Sequence, residues 1–167
     1  IIDLQKYFIN EYTKHLPEKI ASFIEQNTFD FTLFTQFFNS PDSNFVKIHH
    51  WNKMFGPPET DIVDELTKYL SDSNLFKKYS FSIFKAKGLS EFIERNSINE
   101  LYLCGTDTDA CVLSSEMDSF ERGYDAKIIE VLCASHSGIE YHQKAIDLLN
   151  KNLGKQAIIK SNSFSEK

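Results

Sequence analysis

The sequence predicts an α/β protein in which a doubly wound, mostly parallel sheet is flanked by helices. Short apolar runs rich in strand-forming residues alternate along the chain with segments whose apolar residues recur at helical spacing. The connections are short, and no internal repeat, linker or low-complexity block interrupts the alternation. The 167 residues, of which 41% are hydrophobic, suffice for one core. We therefore expect a single domain over residues 1–167.

The first third of the chain begins with an apolar run, Ile1–Leu4, which fits the end of a buried strand with Asp3 at its carboxyl edge. A helix is expected over Leu16–Asn27, because Pro17 suits a first helical turn and the apolar residues that follow form one stripe. The strongly apolar segment Phe29–Phe37 should be the second strand.

The middle of the chain is less regular. Residues Asn39 to Phe55 contain a cluster of turn-forming residues and predict an irregular excursion. The Gly-Pro-Pro sequence at 56–58 should end it and start a helix that runs to about Leu70. Phe76–Phe84 alternates in part, which predicts a strand that runs into a turn.

The last part of the chain predicts two further helices and two strands. Helical spacing covers Leu89–Arg95 and Ser137–Asn152, with Gly154 placed to end the second helix. Apolar strands are expected at Ala126–Cys133 and Ala157–Lys160, and the Ser/Asn-rich tail should be loose.

One stretch, from Glu100 to Gly123, predicts a strand, a tight turn and a helix. Glu100–Cys104 is apolar and Gly105 breaks it, while the polar residues at 106–109 favour a helix cap. Helical spacing starts at Ala110, and Gly123 lies where a left-handed residue would end the helix.

Cys111 falls in the first turn of that helix. Free amide groups and the positive end of the helix dipole favour a thiolate there, and the same turn could form an oxyanion hole. A cysteine early in a helix can equally be a small buried hydrophobic residue, and these residues alone do not separate the two interpretations. Parallel strands bring their carboxyl ends to one edge, so Asp3 and Cys111 can converge. A cation between them would favour both charged forms, and Lys77, Lys78, Lys85 and Lys87 are candidates.

Composition excludes several classes of partner. The net charge of −6, with no basic cluster, argues against a nucleic-acid surface, and no apolar run reaches membrane-spanning length or resembles a signal peptide. The three cysteines show no Cys-x-x-Cys spacing. A reducing cytoplasm fits this pattern best, with Cys104 and Cys133 as inert core residues.

Three motifs together resemble the isochorismatase-like cysteine hydrolases, a superfamily that includes nicotinamidases and N-carbamoylsarcosine amidases. The G-x-x-T-x-x-C-V spacing of its nucleophile segment is matched, as are its first-strand D-x-Q pattern and its K-x-x-x-S-x-F pattern. Ser135, Ser137 and His142 further resemble the family's last helix. The matching residues are Gly105, Thr108, Cys111 and Val112, then Asp3 and Gln5, and finally Lys78, Ser82 and Phe84.

The resemblance implies a Rossmann-like three-layer fold and a catalytic triad of Asp3, Lys78 and Cys111, and it favours Lys78 over the other lysines. It implies hydrolysis of a C–N bond in a small amide or ureide through a thioester. The oxyanion would be held by the amides of Asp107 and Cys111, after a cis peptide at Thr106–Asp107. We expect the substrate pocket to include Gln5, Phe8, Phe37 and Trp51.

The chain also departs from the family pattern. Metal-binding nicotinamidases carry D-x-H after the second strand, where this chain has Thr35 to Asn39, and the adjacent His49 and His50 are a poor chelating pair. Val131 stands where the family has an acid after its fifth strand. We therefore expect no metal and no cofactor, a small-molecule substrate, and the homodimer or homotetramer usual in the family. The alternatives are a nucleotide- or flavin-binding domain and a non-catalytic family member.

Overall fold

A computed structural model describes residues 1–161 and has parallel strands flanked by helices, which confirms the predicted fold class. The strands are β1 (Phe34–Phe37), β2 (Leu75–Lys78), β3 (Glu100–Gly105), β4 (Asp125–Cys133) and β5 (Ile158–Ile159). The α-helices are α1 (Leu16–Gln26), α2 (Asn44–Lys47), α3 (Leu89–Arg95), α4 (Leu113–Glu121) and α5 (Ile139–Leu153). A π-helical turn, Thr108–Val112, precedes α4, and 3-10 turns lie at Lys6–Phe8, Asp64–Tyr69, Ile83–Lys85 and Lys155–Ala157.

The N-terminal residues join the two halves of the sheet. β1 pairs with β2, and β3–β4–β5 form the other half, all in parallel. Ile2 bridges both Thr35 of β1 and Gly105 of β3 in parallel. The strand order is therefore β2, β1, the N-terminal segment, β3, β4, β5. Because every pair is parallel, the carboxyl ends of all these strands lie at one edge of the sheet.

The main hydrophobic core lies between the sheet and its helices. Its fully buried members include Ile2, Leu16, Phe34, Ile128 and Leu149, which come from the N-terminal segment, α1, β1, β4 and α5. A second, smaller core of Phe8, Phe37 and Met54 lies beyond the carboxyl edge. Within residues 1–161, no helix is both long and apolar enough to cross a membrane.

The segment after Gly56 differs most from expectation: the prediction of a helix from the Gly-Pro-Pro sequence to about Leu70 is wrong. Only the 3-10 turn Asp64–Tyr69 forms, after a cis Pro57–Pro58 bond. The reason is that residues 59–63 hydrogen-bond to the N-terminal segment instead of to one another. Lys6 N–H donates to Asp61 O (2.8 Å) and Val63 N–H donates to Leu4 O (3.1 Å).

Other boundaries shift by smaller amounts. β1 covers only the last four residues of the strand expected at Phe29–Phe37. β2 ends at Lys78, six residues before the limit expected for the strand Phe76–Phe84. The excursion from Asn39 to Phe55 contains the short helix α2, which Ser43 caps by accepting from Val46 N–H. The expected α1, α3, β4 and α5 form within a few residues of the predicted limits. The loose tail expected after Lys160 lies, from residue 162, outside the described residues.

Candidate active site

Asp3 reaches the carboxyl edge because β3 ends in a glycine. Gly105 has φ +121°, and a Cβ there would stand 2.1 Å from the Ile2 carbonyl oxygen, so only glycine permits this approach. Thr106 then donates from its amide to Ile2 O (2.9 Å) and from its hydroxyl to Asp3 O (2.8 Å). The Asp3 carboxylate, wholly buried, accepts a 2.8 Å hydrogen bond from the Thr35 hydroxyl.

Lys78 is the last residue of β2, and the turn that follows wraps around its side chain. The buried ammonium donates to the carbonyl oxygens of Ser80 (2.8 Å) and Phe81 (2.9 Å). It also lies 5.4 Å from the centre of the Phe37 ring. Lys77, Lys85 and Lys87, the alternatives left open by the residues alone, are exposed.

Cys111 lies in a π-helical turn and not in the first turn of a regular α-helix. The amides of Val112 and Leu113 donate five residues back, to Asp107 O (3.0 Å) and Thr108 O. Such π-turns occur often at functional sites. Thr108 and His142, two of the residues that match the family motifs, support this turn, since the Thr108 hydroxyl and His142 Nδ1 are 2.8 Å apart.

The structure brings the three side chains of the implied triad into contact. Lys78 Nζ lies 2.5 Å from Asp3 Oδ2 and 3.4 Å from Cys111 Sγ. Asp3 and Lys78 have no exposed surface, and Cys111 is 7% exposed. A carboxylate, an ammonium and a thiol therefore meet in a nearly closed space, with the sulfur atom at its opening.

Burial and charge decide the protonation states of these three side chains. Burial raises the pKa of the Cys111 thiol well above its usual value, and the Asp3 carboxylate adds to that effect against the opposing Lys78 ammonium. The expectation of a thiolate stabilised by the helix terminus is therefore wrong for the resting site. Burial also works against the charged form of Lys78, but Asp3 and Cys111 outweigh it and raise the lysine pKa. The resting arrangement is an Asp3–Lys78 ion pair beside a neutral thiol.

A pocket of about 380 Å³ opens onto Cys111. Five aromatic side chains line it together with residues of the turn that holds Cys111 and of the loop after β4. The lining residues are Phe8, Phe37, Phe45, Trp51 and Phe81 with His49, and Asp107, Asp109, Ala110, Cys111, His136 and Ser137. Phe8, Phe37 and Trp51 thus lie where the sequence places them, in a pocket large enough for a small ligand.

Gln5 does not line this pocket, and its prediction as a pocket residue is wrong. Its side chain is wholly buried and bonds to the backbone on both sides. The amide group donates to Phe37 O (2.9 Å) and Thr60 O (2.7 Å) and accepts from Phe37 N–H (2.8 Å). Gln5 therefore ties β1 to the loop before the Asp64–Tyr69 turn.

The turn between β3 and Cys111 contains a cis peptide bond whose amide group has no acceptor within residues 1–161. The Thr106–Asp107 peptide bond is cis. Within the described residues, the Asp107 amide donates to no protein acceptor. The expected helix cap at 106–109 does not form, because the Asp107 side chain bonds to His136 instead of to the helix.

Sequence reasoning missed His136. Its backbone amide donates to Asp107 Oδ1 (2.8 Å), and its ring Nδ1 contacts Asp107 Oδ2. The hydrogen bond with Asp107 raises the pKa of His136, against the opposing effect of burial. No spacing links residues that are 29 positions apart, but a histidine just after an expected strand end was a signal in the sequence. Among residues 1–161, no three His, Cys, Asp or Glu side chains are grouped so as to hold a metal ion.

The fold places the protein in a class of parallel α/β domains shared by several solved hydrolases. It superposes on an isochorismatase-like hydrolase from Alkaliphilus metalliredigens (TM-score 0.78, 18% identity, 90% of this chain and 88% of the other). N-carbamoylsarcosine amidase from Thermoplasma acidophilum matches similarly (TM-score 0.78, 18% identity, 99% and 96%). Pyrazinamidase/nicotinamidase from Streptococcus mutans also shares the fold (TM-score 0.74, 21% identity, 95% and 97%).

Sequence comparison defines the family. The model of the isochorismatase domain matches residues 1–159, and the chain therefore belongs to the isochorismatase family of hydrolases. A curated relative, isochorismatase domain-containing protein 2 of Xenopus laevis, is 29% identical over 89 residues. That match covers 53% of this chain but only 40% of the relative's length.

Proposed function

We propose that the protein is a cysteine hydrolase that cleaves a C–N bond in a small amide or ureide through a thioester on Cys111. The observation that carries the proposal is the contact of Lys78 Nζ with both Asp3 (2.5 Å) and the Cys111 sulfur (3.4 Å) at the base of a pocket. A buried carboxylate and ammonium beside a thiol form a base, a charge stabiliser and a nucleophile.

The first half of the reaction needs a base, because the resting thiol is neutral. Asp3 accepts the proton of Cys111, and Lys78 stabilises the thiolate that results. The sulfur attacks the substrate carbonyl carbon and forms a C–S bond, while the C–N electron pair leaves with nitrogen. Asp3 returns its proton to that nitrogen, so the products are a thioester and ammonia or an amine.

The second half reverses these roles. Asp3 takes a proton from a water molecule, whose oxygen attacks the thioester carbonyl. The C–S bond breaks, and the sulfur recovers a proton. The products are a carboxylic acid, or a carbamic acid from a ureide, and the free thiol. No oxidant or further reactant is consumed.

Two amides are proposed to hold the negative oxygen in both halves. They belong to Asp107 and Cys111, and loss of one such donor typically lowers the rate by about 10²–10³. The cation that the chemistry requires is Lys78, and we propose that no metal ion takes part. Dialysis against a chelator should therefore leave the activity unchanged.

The pocket supports a small, largely apolar substrate. Aromatic rings line it, and its volume of about 380 Å³ is in the range for small-ligand sites. The solved relatives named for amides of this size, nicotinamidase and N-carbamoylsarcosine amidase, share the fold and supply the first compounds to test. A homodimer or homotetramer is also proposed, and light scattering after gel filtration measures it.

An ammonia-release screen tests the proposal. The panel comprises nicotinamide, pyrazinamide, N-carbamoylsarcosine, benzamide and phenylurea, each with wild type, Cys111→Ala and the surface control Lys85→Ala. We expect release from at least one compound with wild type and with Lys85→Ala, and none above background with Cys111→Ala. Equal rates for wild type and Cys111→Ala would overturn the mechanism. Absence of release from every compound would favour the non-catalytic alternative.

A further inference from the structure

Asp107 carries a buried carboxylate that, within residues 1–161, takes its hydrogen bonds from one residue. The residue is 7% exposed, and its side chain accepts from the backbone amide of His136 (2.8 Å) and contacts the ring Nδ1 of the same histidine. His136 lies on the loop after β4, a different element from the turn that holds Asp107. The pair therefore links two separate elements that line the pocket.

The position of this carboxylate is unfavourable for the proposed chemistry. Asp107 lies between the cis peptide and the π-turn, and its carbonyl accepts from the amides of Ala110 (3.1 Å) and Val112 (3.0 Å). Its own amide is one of the two proposed oxyanion donors. A negative side chain on that residue opposes the negative charge that develops on the substrate oxygen.

We propose that His136 is a positioning residue that neutralises Asp107, so that the oxyanion turn presents its amides without an uncompensated negative charge. The inference rests on the proposed function, because it assigns a role in the same reaction. His136 acts through Asp107 and holds the turn in place by two contacts, one from its ring and one from its backbone amide. The backbone carbonyl of His136 accepts a hydrogen bond from the Asn10 side chain (2.7 Å), which also fixes the loop.

The surroundings of His136 favour its charged form. Asp107 and Asp109 face it from the nucleophile turn, and their charges add to the hydrogen bond that raises its pKa. The Tyr7 ring lies 6.2 Å away and the Phe8 ring 5.4 Å away. His49 and Cys111 line the same pocket. As pH rises through the titration of His136, Asp107 loses its counter-charge, and the rate should fall.

A double-mutant cycle separates this role from a structural one. His136→Gln keeps a hydrogen-bond donor and removes the charge, so kcat should fall roughly tenfold or more with a smaller change in KM. Adding Asp107→Asn removes the uncompensated carboxylate, and the double variant should recover most of the lost kcat. A purely structural pair would lose the shared contact in either single variant, so the double variant would stay at least as impaired as His136→Gln, and that result overturns the inference.

A titration of the histidine rings gives a readout that does not need substrate. In NMR spectra of the full chain, the midpoint of His136 should fall by roughly one pH unit or more in Asp107→Asn, while that of His15, whose pKa does not depend on Asp107, stays in place. An unchanged His136 midpoint would overturn the charge coupling. If the coupling is found and no amide is hydrolysed, the proposed function fails. If amides are hydrolysed through Cys111 and the double variant recovers none of the lost kcat, only this inference fails.

Discussion

At the scale of single residues, the electrostatics of the site depend on Lys78. An ammonium has three N–H donors, and here two backbone carbonyls, the Asp3 carboxylate and the Cys111 sulfur surround it. Burial alone would favour the neutral amine, but Asp3 and Cys111 keep the lysine pKa raised. A fixed positive charge beside a neutral thiol allows the proton to move from sulfur to carboxylate without creating an unpaired buried charge.

Substitution of Thr35 tests how far catalysis depends on the orientation of the Asp3 carboxylate. Its hydroxyl donates a 2.8 Å hydrogen bond to Asp3 Oδ1 inside the protein. A hydrogen bond to a charged group contributes about 1.5–3 kcal/mol, so Thr35→Val should lower kcat/KM by roughly 10- to 100-fold. Steady-state kinetics on the best amide of the screen measure the effect. Thr35→Ser keeps the hydroxyl and should stay within about threefold of wild type, and equal losses in both variants would contradict the assignment.

The sequence could predict some of these residues and not others. Asp3, Lys78 and Cys111 stand in recognisable motifs, and the structure brings them within contact. His136 could not be assigned, because its partner Asp107 was expected to cap a helix and only the folded chain places the two side chains together. Gln5 belongs to a matched motif yet bonds only to backbone, since a motif gives a position and not the direction of a side chain.

At the scale of elements, the close approach of the N-terminal segment to β3 positions Asp3. Gly105→Ala would bring a Cβ to 2.1 Å from Ile2 O at a φ of +121°, where a side chain is strained. We expect a loss of at least about 2 kcal/mol in the free energy of unfolding and a larger fractional loss of activity. Urea denaturation and kinetics measure both.

Gly56→Ala is the matched control, because nothing lies within 4 Å of the Cβ that it would add. It should leave stability and activity near wild type. A Gly105→Ala variant as stable and active as Gly56→Ala would show that the N-terminal segment does not need this approach.

Helix α4 contains a buried acid that the proposed reaction does not use. Burial raises the pKa of Glu116 to about 7 from 4.5, and Oε2 has no hydrogen-bond partner among the described residues. The folded state therefore binds the proton more tightly than the unfolded state, so this group lowers stability as pH rises from 4.5 to 7. Glu116→Gln should be more stable than wild type by about 3 kcal/mol above pH 7 and by little below pH 4.5.

Urea denaturation at pH 4.5 and pH 8 measures this difference. Glu121→Gln, an exposed position at the end of the same helix, is the control and should show little change at either pH. A gain for Glu116→Gln that is the same at both pH values would contradict the titration of a buried carboxyl.

The boundaries that sequence patterns missed share one cause. Apolar residues recur at helical spacing from Ile62 to Leu70, yet the backbone groups of residues 59–63 bond to residues 4–7, far away in the sequence. The predicted strand Phe29–Phe37 forms only over its last four residues, because β2 and the bridge from Ile2 pair with that part alone. Such long-range backbone pairing leaves no periodic trace in the segment itself, whereas α1 and α5 have complete apolar stripes and were predicted closely.

At the scale of the whole molecule, charge should decide which amides enter the pocket. Within residues 1–161, the Lys78 ammonium beside the pocket is paired with Asp3, and the His136 ring that lines it contacts Asp107. The Asp109 carboxylate also lines the pocket, and its buried Oδ1 has no hydrogen-bond partner among the described residues. An anionic substrate therefore meets aromatic rings and a carboxylate that forms no ion pair in the described part of the chain.

We expect kcat/KM for benzamide to exceed that for the anionic 4-carbamoylbenzoate by roughly tenfold or more, and Asp109→Asn should narrow the ratio. Kinetics on both compounds at several salt concentrations measure it. Asp72→Asn changes the net charge equally at an exposed position outside the pocket, and it should leave the ratio unchanged. A preference for the anion in wild type would contradict this description of the pocket.

The most direct measurement of the central claim is rapid acid quench during the first turnover of the best amide, followed by mass spectrometry of the cysteine-containing peptides. A thioester on Cys111 predicts that this peptide transiently gains the mass of the acyl group while Cys104 and Cys133 stay unmodified. Product formation with Cys111 unmodified at every time point, together with wild-type turnover by Cys111→Ala, would contradict it.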